Sequence, residues 1–120
     1  MRELGKKYED IACRYLEKNG YRIIERNFLT KLGEIDIVAR DRKTLCFVEI
    51  KARKDSEYEP FEAVNKRKMD KIIKSSIIYL KVRKVSPSTD LRYDVLSITG
   101  KIDSPDFFLI KDAFKVDRYF

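Results

Sequence analysis

Histidine does not occur in the 120 residues of this chain. Its absence excludes Ser-His-Asp and Cys-His nucleophile systems, imidazole-based proton transfer and HExxH zinc sites. Tryptophan is missing as well, and cysteine occurs only at Cys13 and Cys46, in no CxxC spacing. A four-thiolate zinc site and a disulfide framework are therefore excluded. Both cysteines fall in apolar-periodic segments and read as buried thiols of a protein kept in a reducing compartment. No apolar run approaches the roughly 20 residues that span a bilayer. The start, Met1-Arg2-Glu3-Leu4-Gly5-Lys6-Lys7, has no apolar leader core, and a cytoplasmic location is expected. Internal repeats and low-complexity segments are absent too. The clearest loops, Ser86–Asp90 and Lys54–Glu59, are too short to be domain linkers, so residues 1–120 are expected to form a single domain.

What the chain has in excess is charge. Charged residues make up 39% of it, against roughly 25% in average soluble domains, and the net charge is +7. A small basic domain more often meets a polyanion than an acidic substrate.

Hydrophobic spacing sets the element order. Leu4, Tyr8, Ile11, Ala12, Tyr15 and Leu16 recur with helical period, predicting a helix over 3–19 that stops at Gly20. Residues 21–29 read as a strand. Residues 33–40 and 44–53 alternate on either side of the polar tip Asp41-Arg42-Lys43, the pattern of a β-hairpin. A long helix is expected from Pro60 to about 82–85, with Phe61, Val64, Met69, Ile72, Ile73, Ile77 and Leu80 on its buried face. Strands over 91–99 and 107–111 follow, and the tail reads as one further helical turn. The order αβββαββ predicts an α/β fold with a mixed central sheet flanked by helices.

The chemistry concentrates in the hairpin. On its second arm Cys46, Val48, Ile50 and Ala52 share one face, and Leu45, Phe47, Glu49, Lys51 and Arg53 share the other. On the first arm Ile35, Ile37 and Ala39 are expected on one face, with Glu34, Asp36 and Val38 opposite. A hairpin closing symmetrically about Arg42-Lys43 sets Asp36 across from Glu49 and Glu34 across from Lys51. A slip of one residue would mix polar with apolar on each face. Two facing carboxylates repel. A hard divalent cation such as Mg²⁺ or Mn²⁺ would compensate, and Lys51 could then stabilise charge on a phosphate or position a water. The residues alone leave a second reading open, a solvated ion-pair cluster on an exposed sheet face. Glu9, at the edge of the first helix's apolar arc, is a candidate third carboxylate or an ordinary boundary glutamate. Lys68, one turn before Ile72, is a candidate site amine or a solvated lysine.

These residues carry a resemblance. Gly33-Glu34-Ile35-Asp36 followed by Phe47-Val48-Glu49-Ile50-Lys51-Ala52-Arg53 resembles the GEID…FVEVKxR signature of the YraN-like family of small bacterial proteins. That family in turn resembles PD-(D/E)xK nucleases, notably archaeal Holliday-junction resolvases. The likeness runs through Glu9-Asp10-Ile11-Ala12, Gly20-Tyr21, Arg26-Asn27, Pro60, Ala63-Val64, Lys68 and Arg92-Tyr93-Asp94-Val95. Ile50, Ala52 and Tyr93 depart from the family's usual residues without removing a ligand.

The resemblance implies a restriction-endonuclease-like core. It also implies metal ligands at Asp36 and Glu49, a catalytic lysine at Lys51, an accessory acid at Glu9 and a polar site group at Lys68. It implies a Mg²⁺- or Mn²⁺-dependent endonuclease acting on DNA, with branched DNA a natural substrate and a homodimer the expected assembly for it. Phosphate contacts are expected from Lys6, Lys7, Arg14, Arg53, Lys54, Lys66, Arg67 and Lys71. Rival functions are a non-catalytic nucleic-acid-binding module of the same fold and a basic protein-interaction adaptor. Asp94 is expected to be structural, pairing with Arg92 or a nearby basic residue.

Overall fold

The computed structural model describes the backbone of residues 2–53 and 66–115, and side chains from Gly5 onward within those spans. The expected helix start at Pro60, the residues Phe61, Val64 and Lys54, the 54–59 loop and the turn in the tail lie outside the described residues. The elements are α1 (Arg2–Lys18), β1 (Tyr21–Thr30), β2 (Gly33–Asp41), β3 (Thr44–Arg53), α2 (Lys66–Val82), β4 (Leu91–Thr99) and β5 (Asp106–Ile110).

The strands form one five-stranded sheet in the order β1-β2-β3-β4-β5. All neighbours are antiparallel except β3 and β4, which run parallel. A parallel pair cannot be joined by a tight turn and needs a crossover, which is where α2 falls in the chain. The architecture is thus α/β in the expected order αβββαββ, with a mixed sheet between two helices.

Each helix seals one face. Tyr8, Ala12 and Leu16, spaced four residues apart, turn a single stripe of α1 onto Ile37, Ala39, Cys46, Val48, Leu96 and Ile98. Gly20, at φ 91°, supplies the left-handed residue that ends α1, and the Asn19 side chain caps the Tyr15 carbonyl at 2.8 Å. On the other face, Ile72, Ile73 and Tyr79 of α2 pack against Phe28, Ile35, Val38, Leu45, Phe47 and Tyr93. Alternating residues of β3 go to opposite helices, as the pattern predicted. Both cysteines are buried.

Polar groups inside the core are matched. Ser76 lies 2.6 Å from both the Ile73 carbonyl and the Tyr93 hydroxyl. Asp94, fully buried, accepts from Tyr21 Oη, Arg92 Nε and Nη2, and the Asp112 N–H. Arg92 also reaches Asp41 at 2.9 Å. The pairing of Asp94 with Arg92 expected from sequence is therefore present.

One predicted relation fails. On β2, Ile37 and Ala39 pack on the α1 side, but Ile35 packs with Phe28 and α2. Residues two apart in a regular strand share a face, so the alternation breaks at Asp36. Ile35 does not share a face with Ile37, and the single row Glu34, Asp36, Val38 does not exist. The cause lies in the pairing of β1 with β2.

Candidate functional site

The hairpin closes in the expected register, from Asp41 opposite Thr44 to Ile37 opposite Val48. There the β2–β3 ladder ends. The predicted cross-strand pairs Asp36–Glu49 and Glu34–Lys51 are not ladder partners, and Glu34 pairs instead with Leu29 on β1. The two arms diverge just before the carboxylates.

β1 and β2 turn over together at this level. Arg26 pairs with Ile37 and Phe28 with Ile35, while the ladder skips the intervening residues, Asn27 and Asp36. Above the gap, Arg26 bonds Glu9 on α1 and Ile37 packs under α1. Below it, Phe28 and Ile35 pack under α2. Asn27 has φ 55°, the left-handed region that Asn tolerates better than most residues. Released from the row, Asp36 turns toward β3, where its Oδ2 accepts the Ile50 N–H at 2.8 Å. The carboxyl takes the acceptor place of the β2 backbone that has moved away.

Asp36 also hydrogen-bonds Glu49, which is 5% exposed. Burial, followed by that hydrogen bond and the charge of Glu49, pushes Asp36 up to about 8, against the pull of the Ile50 N–H. At neutral pH Asp36 therefore keeps its proton beside Glu49. The carboxyls are thus neighbours, as the sequence predicted, but through divergence of the strands rather than direct opposition.

Lys68 closes the other side of Glu49. Its Nζ lies 2.5 Å from Glu49 Oε2. Burial works against the charge of this amine, but the hydrogen bond and charge of Glu49, with Asp36 adding to them, hold it above its usual value. Helix α2 can come this close because β2 has Gly33 beneath it. A Cβ there would lie 3.2 Å from Lys71 Cβ and from Ser75 Oγ. Lys51 follows Glu49 on the same row of β3 and is half-buried. Burial, then the charges of Lys68 and Arg53, push its amine below the usual lysine range.

Glu9 stands apart from this group. Its Oε1 accepts from Arg26 Nη2 at 2.6 Å and from Asn27 Nδ2 at 2.7 Å. It lines a hollow of ≈ 790 Å³ on the α1 side of Asp36, together with Lys6, Arg26, Asn27, Glu34 and Ile50. Glu49, Lys51 and Lys68 lie toward α2. Among the described residues no three His, Cys, Asp or Glu side chains gather closely enough to hold one ion. The structure therefore brings Asp36, Glu49 and Lys68 into contact, keeps Lys51 beside them, and leaves Glu9 on the α1 side, bordering the same hollow as Asp36 but not among the contacting groups. Sequence reasoning missed Arg26 and Asn27 as the groups that fix Glu9. The available signal was a polar Arg-Asn pair inside a strand, where Asn is disfavoured.

The candidate phosphate-binding cations divide between the helices. Lys6, Lys7 and Arg14 are exposed on α1, and Lys66, Arg67 and Lys71 are exposed on α2. Lys6 borders the Asp36 hollow, and Lys66, Arg67 and Lys71 are within a turn of Lys68. Arg53 is half-buried at the end of β3. Lys54 lies outside the described residues. Arg14 is about 12 Å along α1 from Lys6, at 1.5 Å per residue.

A five-stranded mixed sheet between two helices, with an acid pair where two strands diverge and two lysines beside it, defines an α/β protein with a buried acid–amine site. The chain belongs to UPF0102, an uncharacterised protein family whose model matches residues 8–98 and which is the YraN-like family. It is 42% identical over 113 residues to a UPF0102 protein of Syntrophus aciditrophicus, covering 93% of this chain and 88% of that one. Similarity to a UPF0102 protein of Clostridium kluyveri is 42% over 118 residues, 96% of each chain. A Geobacter metallireducens relative is 43% identical over 117 residues, covering 96% of this chain and 94% of its own. No described helix is long and apolar enough to cross a membrane.

Proposed function

We propose that this protein is a metal-dependent endonuclease that hydrolyses phosphodiester bonds in DNA, with branched or otherwise structured DNA as its substrate. The observation that carries the reading is the contact between the Asp36 and Glu49 carboxyls at the divergence of β2 and β3, with the Lys68 amine against Glu49. Asp36 relieves the repulsion of this pair by keeping a proton. Paired hard oxygen donors suit Mg²⁺ or Mn²⁺, and a position already facing an ammonium group accepts positive charge. Asp36 and Glu49 would hold the ion, with Glu9 as an accessory acid. Bound there, the ion would supply Lewis-acid polarisation of the phosphate and a water of lowered pKa.

The chain's own groups do the rest. Asp36, once deprotonated, and Glu49, in place of its ion pair with Lys68, would hold the ion, and the Lys68 amine would then be available to a phosphate oxygen. Lys51 stabilises the negative charge that develops on the phosphate, or orients the attacking water. None of these roles needs a histidine or a thiol. Lys6, Lys66, Arg67 and Lys71 approach the same end of the sheet from its two sides, suited to a backbone laid across it. Two cuts in a junction need two sites related by symmetry, so a homodimer is the working unit on that substrate.

The test is cleavage of branched and linear DNA in Mg²⁺, Mn²⁺ and EDTA, with a gel shift to score binding. Cutting is expected only with metal. Asp36→Asn and Lys51→Ala should each abolish it while the protein stays folded and binds DNA. Normal cutting by either variant overturns the assigned site, and binding without cutting by the wild type leaves a nucleic-acid-binding module.

A further inference from the structure

The residue that the β1–β2 ladder skips together with Asp36 is one the proposed chemistry does not use. Asn27 is the single β1 residue with a left-handed backbone, at φ 55°, and it falls at the level where both β1 and β2 exchange faces. On one side of that level Arg26 and Ile37 look to α1, and on the other Phe28 and Ile35 look to α2. A strand kept regular through this point would place Arg26 and Phe28 on one face, burying a guanidinium under α2 or exposing a core aromatic. It would also keep Asp36 in its row, away from the Ile50 N–H.

We propose that Asn27 is a positioning residue: its left-handed backbone turns β1 and β2 over together and thereby aims the Asp36 carboxyl at β3. The inference deepens the nuclease reading, on which its functional consequence rests, but its structural content stands by itself. The Asn27 side chain has a separate task, donating Nδ2 to Glu9 Oε1 at 2.7 Å. Backbone and side-chain roles can be separated because glycine and alanine rank oppositely in the two settings. Within a regular strand alanine is better tolerated than glycine, whereas at a left-handed φ glycine is free of the Cβ clash that alanine meets.

The experiment compares Asn27→Gly, Asn27→Ala and Asn27→Asp with the wild type in the full chain. The first readout is hydrogen exchange at the Ile50 amide, which reports its bond to Asp36 whether or not a metal binds. The second is Mn²⁺ affinity. Asn27→Gly should retain Ile50 protection and Mn²⁺ binding close to wild type, and Asn27→Asp should retain Ile50 protection while its added carboxylate beside Glu9 alters Mn²⁺ affinity. Asn27→Ala should lose about tenfold in protection at Ile50, the equivalent of the left-handed penalty, and bind Mn²⁺ correspondingly more weakly. Equal loss in the glycine and alanine variants would assign the effect to the Glu9 bond and overturn the proposal. Unchanged Ile50 protection in the alanine variant would overturn it too. If the wild type binds no Mn²⁺ the metal reading fails, while the Ile50 ranking still decides the role of Asn27. An alanine variant that does not fold beside a folded glycine variant gives the ranking expected of a left-handed position.

Discussion

Lys68 Nζ stands 2.5 Å from Glu49 Oε2, joining a half-exposed amine on α2 to a carboxylate that is almost wholly buried on β3. The pair fastens the crossover helix to the strand beneath it at the point where β2 has moved away. It also means that any cation coming to Glu49 competes with an amine already present.

Lys68→Ala should destabilise the metal-free protein by about 1–3 kcal/mol, since it leaves the charge of Glu49 buried without its partner. The lower half of that range is the better expectation, because solvent screens the half-exposed lysine. The competing amine is then gone, so Mn²⁺ should raise the melting temperature of the variant more than that of the wild type. Thermal unfolding in EDTA and in Mn²⁺ measures both effects. Equal metal-induced shifts would separate Lys68 from the ion position.

Asp36 gives a pH dependence of defined sign. Its carboxyl titrates at about 8 in the folded protein, against an ordinary 3.8. Between these values the folded state holds a proton that the unfolded chain has released. The stability tied to it is complete below the unfolded value and is lost as pH rises through about 8. Metal-free protein should therefore melt progressively lower from about pH 5 to about pH 9, and Asp36→Asn should flatten that slope and melt higher at the alkaline end. Mn²⁺ affinity should move oppositely, rising over the same window as the competing proton leaves. Asp10, Glu25 and Asp41, held low by Arg26, Arg83 and Arg92, act at the acid end instead.

The hairpin was readable because Cys46, Val48, Ile50 and Ala52 alternate with Leu45, Phe47 and Glu49, and only one register keeps both faces consistent. The exchange of faces at Asp36 was not. Ile35 is apolar, and both sides of the sheet carry an apolar core, so its side could not be inferred from its type. The cause sits on another strand, in the backbone of Asn27, beyond the reach of a pattern read along the hairpin. Helical period placed Lys68 at the border of the α2 face but could not say which carboxylate it meets. That depends on how closely α2 packs over Gly33, a tertiary distance.

Gly33 accordingly controls that approach. A methyl group there would lie 3.2 Å from both Lys71 Cβ and Ser75 Oγ. Gly33→Ala should cost about 1–2 kcal/mol by overpacking, since the neighbouring atoms are a helix Cβ and a hydroxyl already bonded to Thr30. The displacement of α2 should also weaken the Lys68–Glu49 pair. Denaturant unfolding gives the first effect. The second appears as a smaller further loss when Lys68→Ala is added than the same change causes in the wild type.

The network around Asp94 should matter for folding and not for chemistry. Asp94→Ala removes a buried carboxylate and leaves Arg92, Tyr21 Oη and the Asp112 N–H without their acceptor. A loss of about 3–5 kcal/mol is expected, against about 1 kcal/mol for Tyr21→Phe, which removes one hydroxyl. Urea unfolding checks the ranking. Tyr21→Phe should leave DNA cleavage at the wild-type rate, because Tyr21 belongs to this network and not to the group around Asp36 and Glu49.

Salt dependence separates the cations that touch a nucleic acid from those that only solubilise. Removing a cation that neutralises one phosphate should reduce the slope of log affinity against log salt by about 0.9 on duplex DNA. Lys66, Arg67 and Lys71 flank Lys68 on exposed positions of α2, and Lys6 borders the hollow beside Asp36. Replacing Lys66 and Arg67 together by alanine should therefore lower the slope by almost twice that amount and weaken binding to all sequences alike. Arg14 sits about two turns beyond Lys6, exposed on α1 and outside the lining of the hollow beside Asp36, and serves as the control. Arg14→Ala should leave the slope unchanged. A fall as large as that of the α2 pair would mean that the polyanion follows the length of α1 instead of crossing the end of the sheet where β2 and β3 diverge.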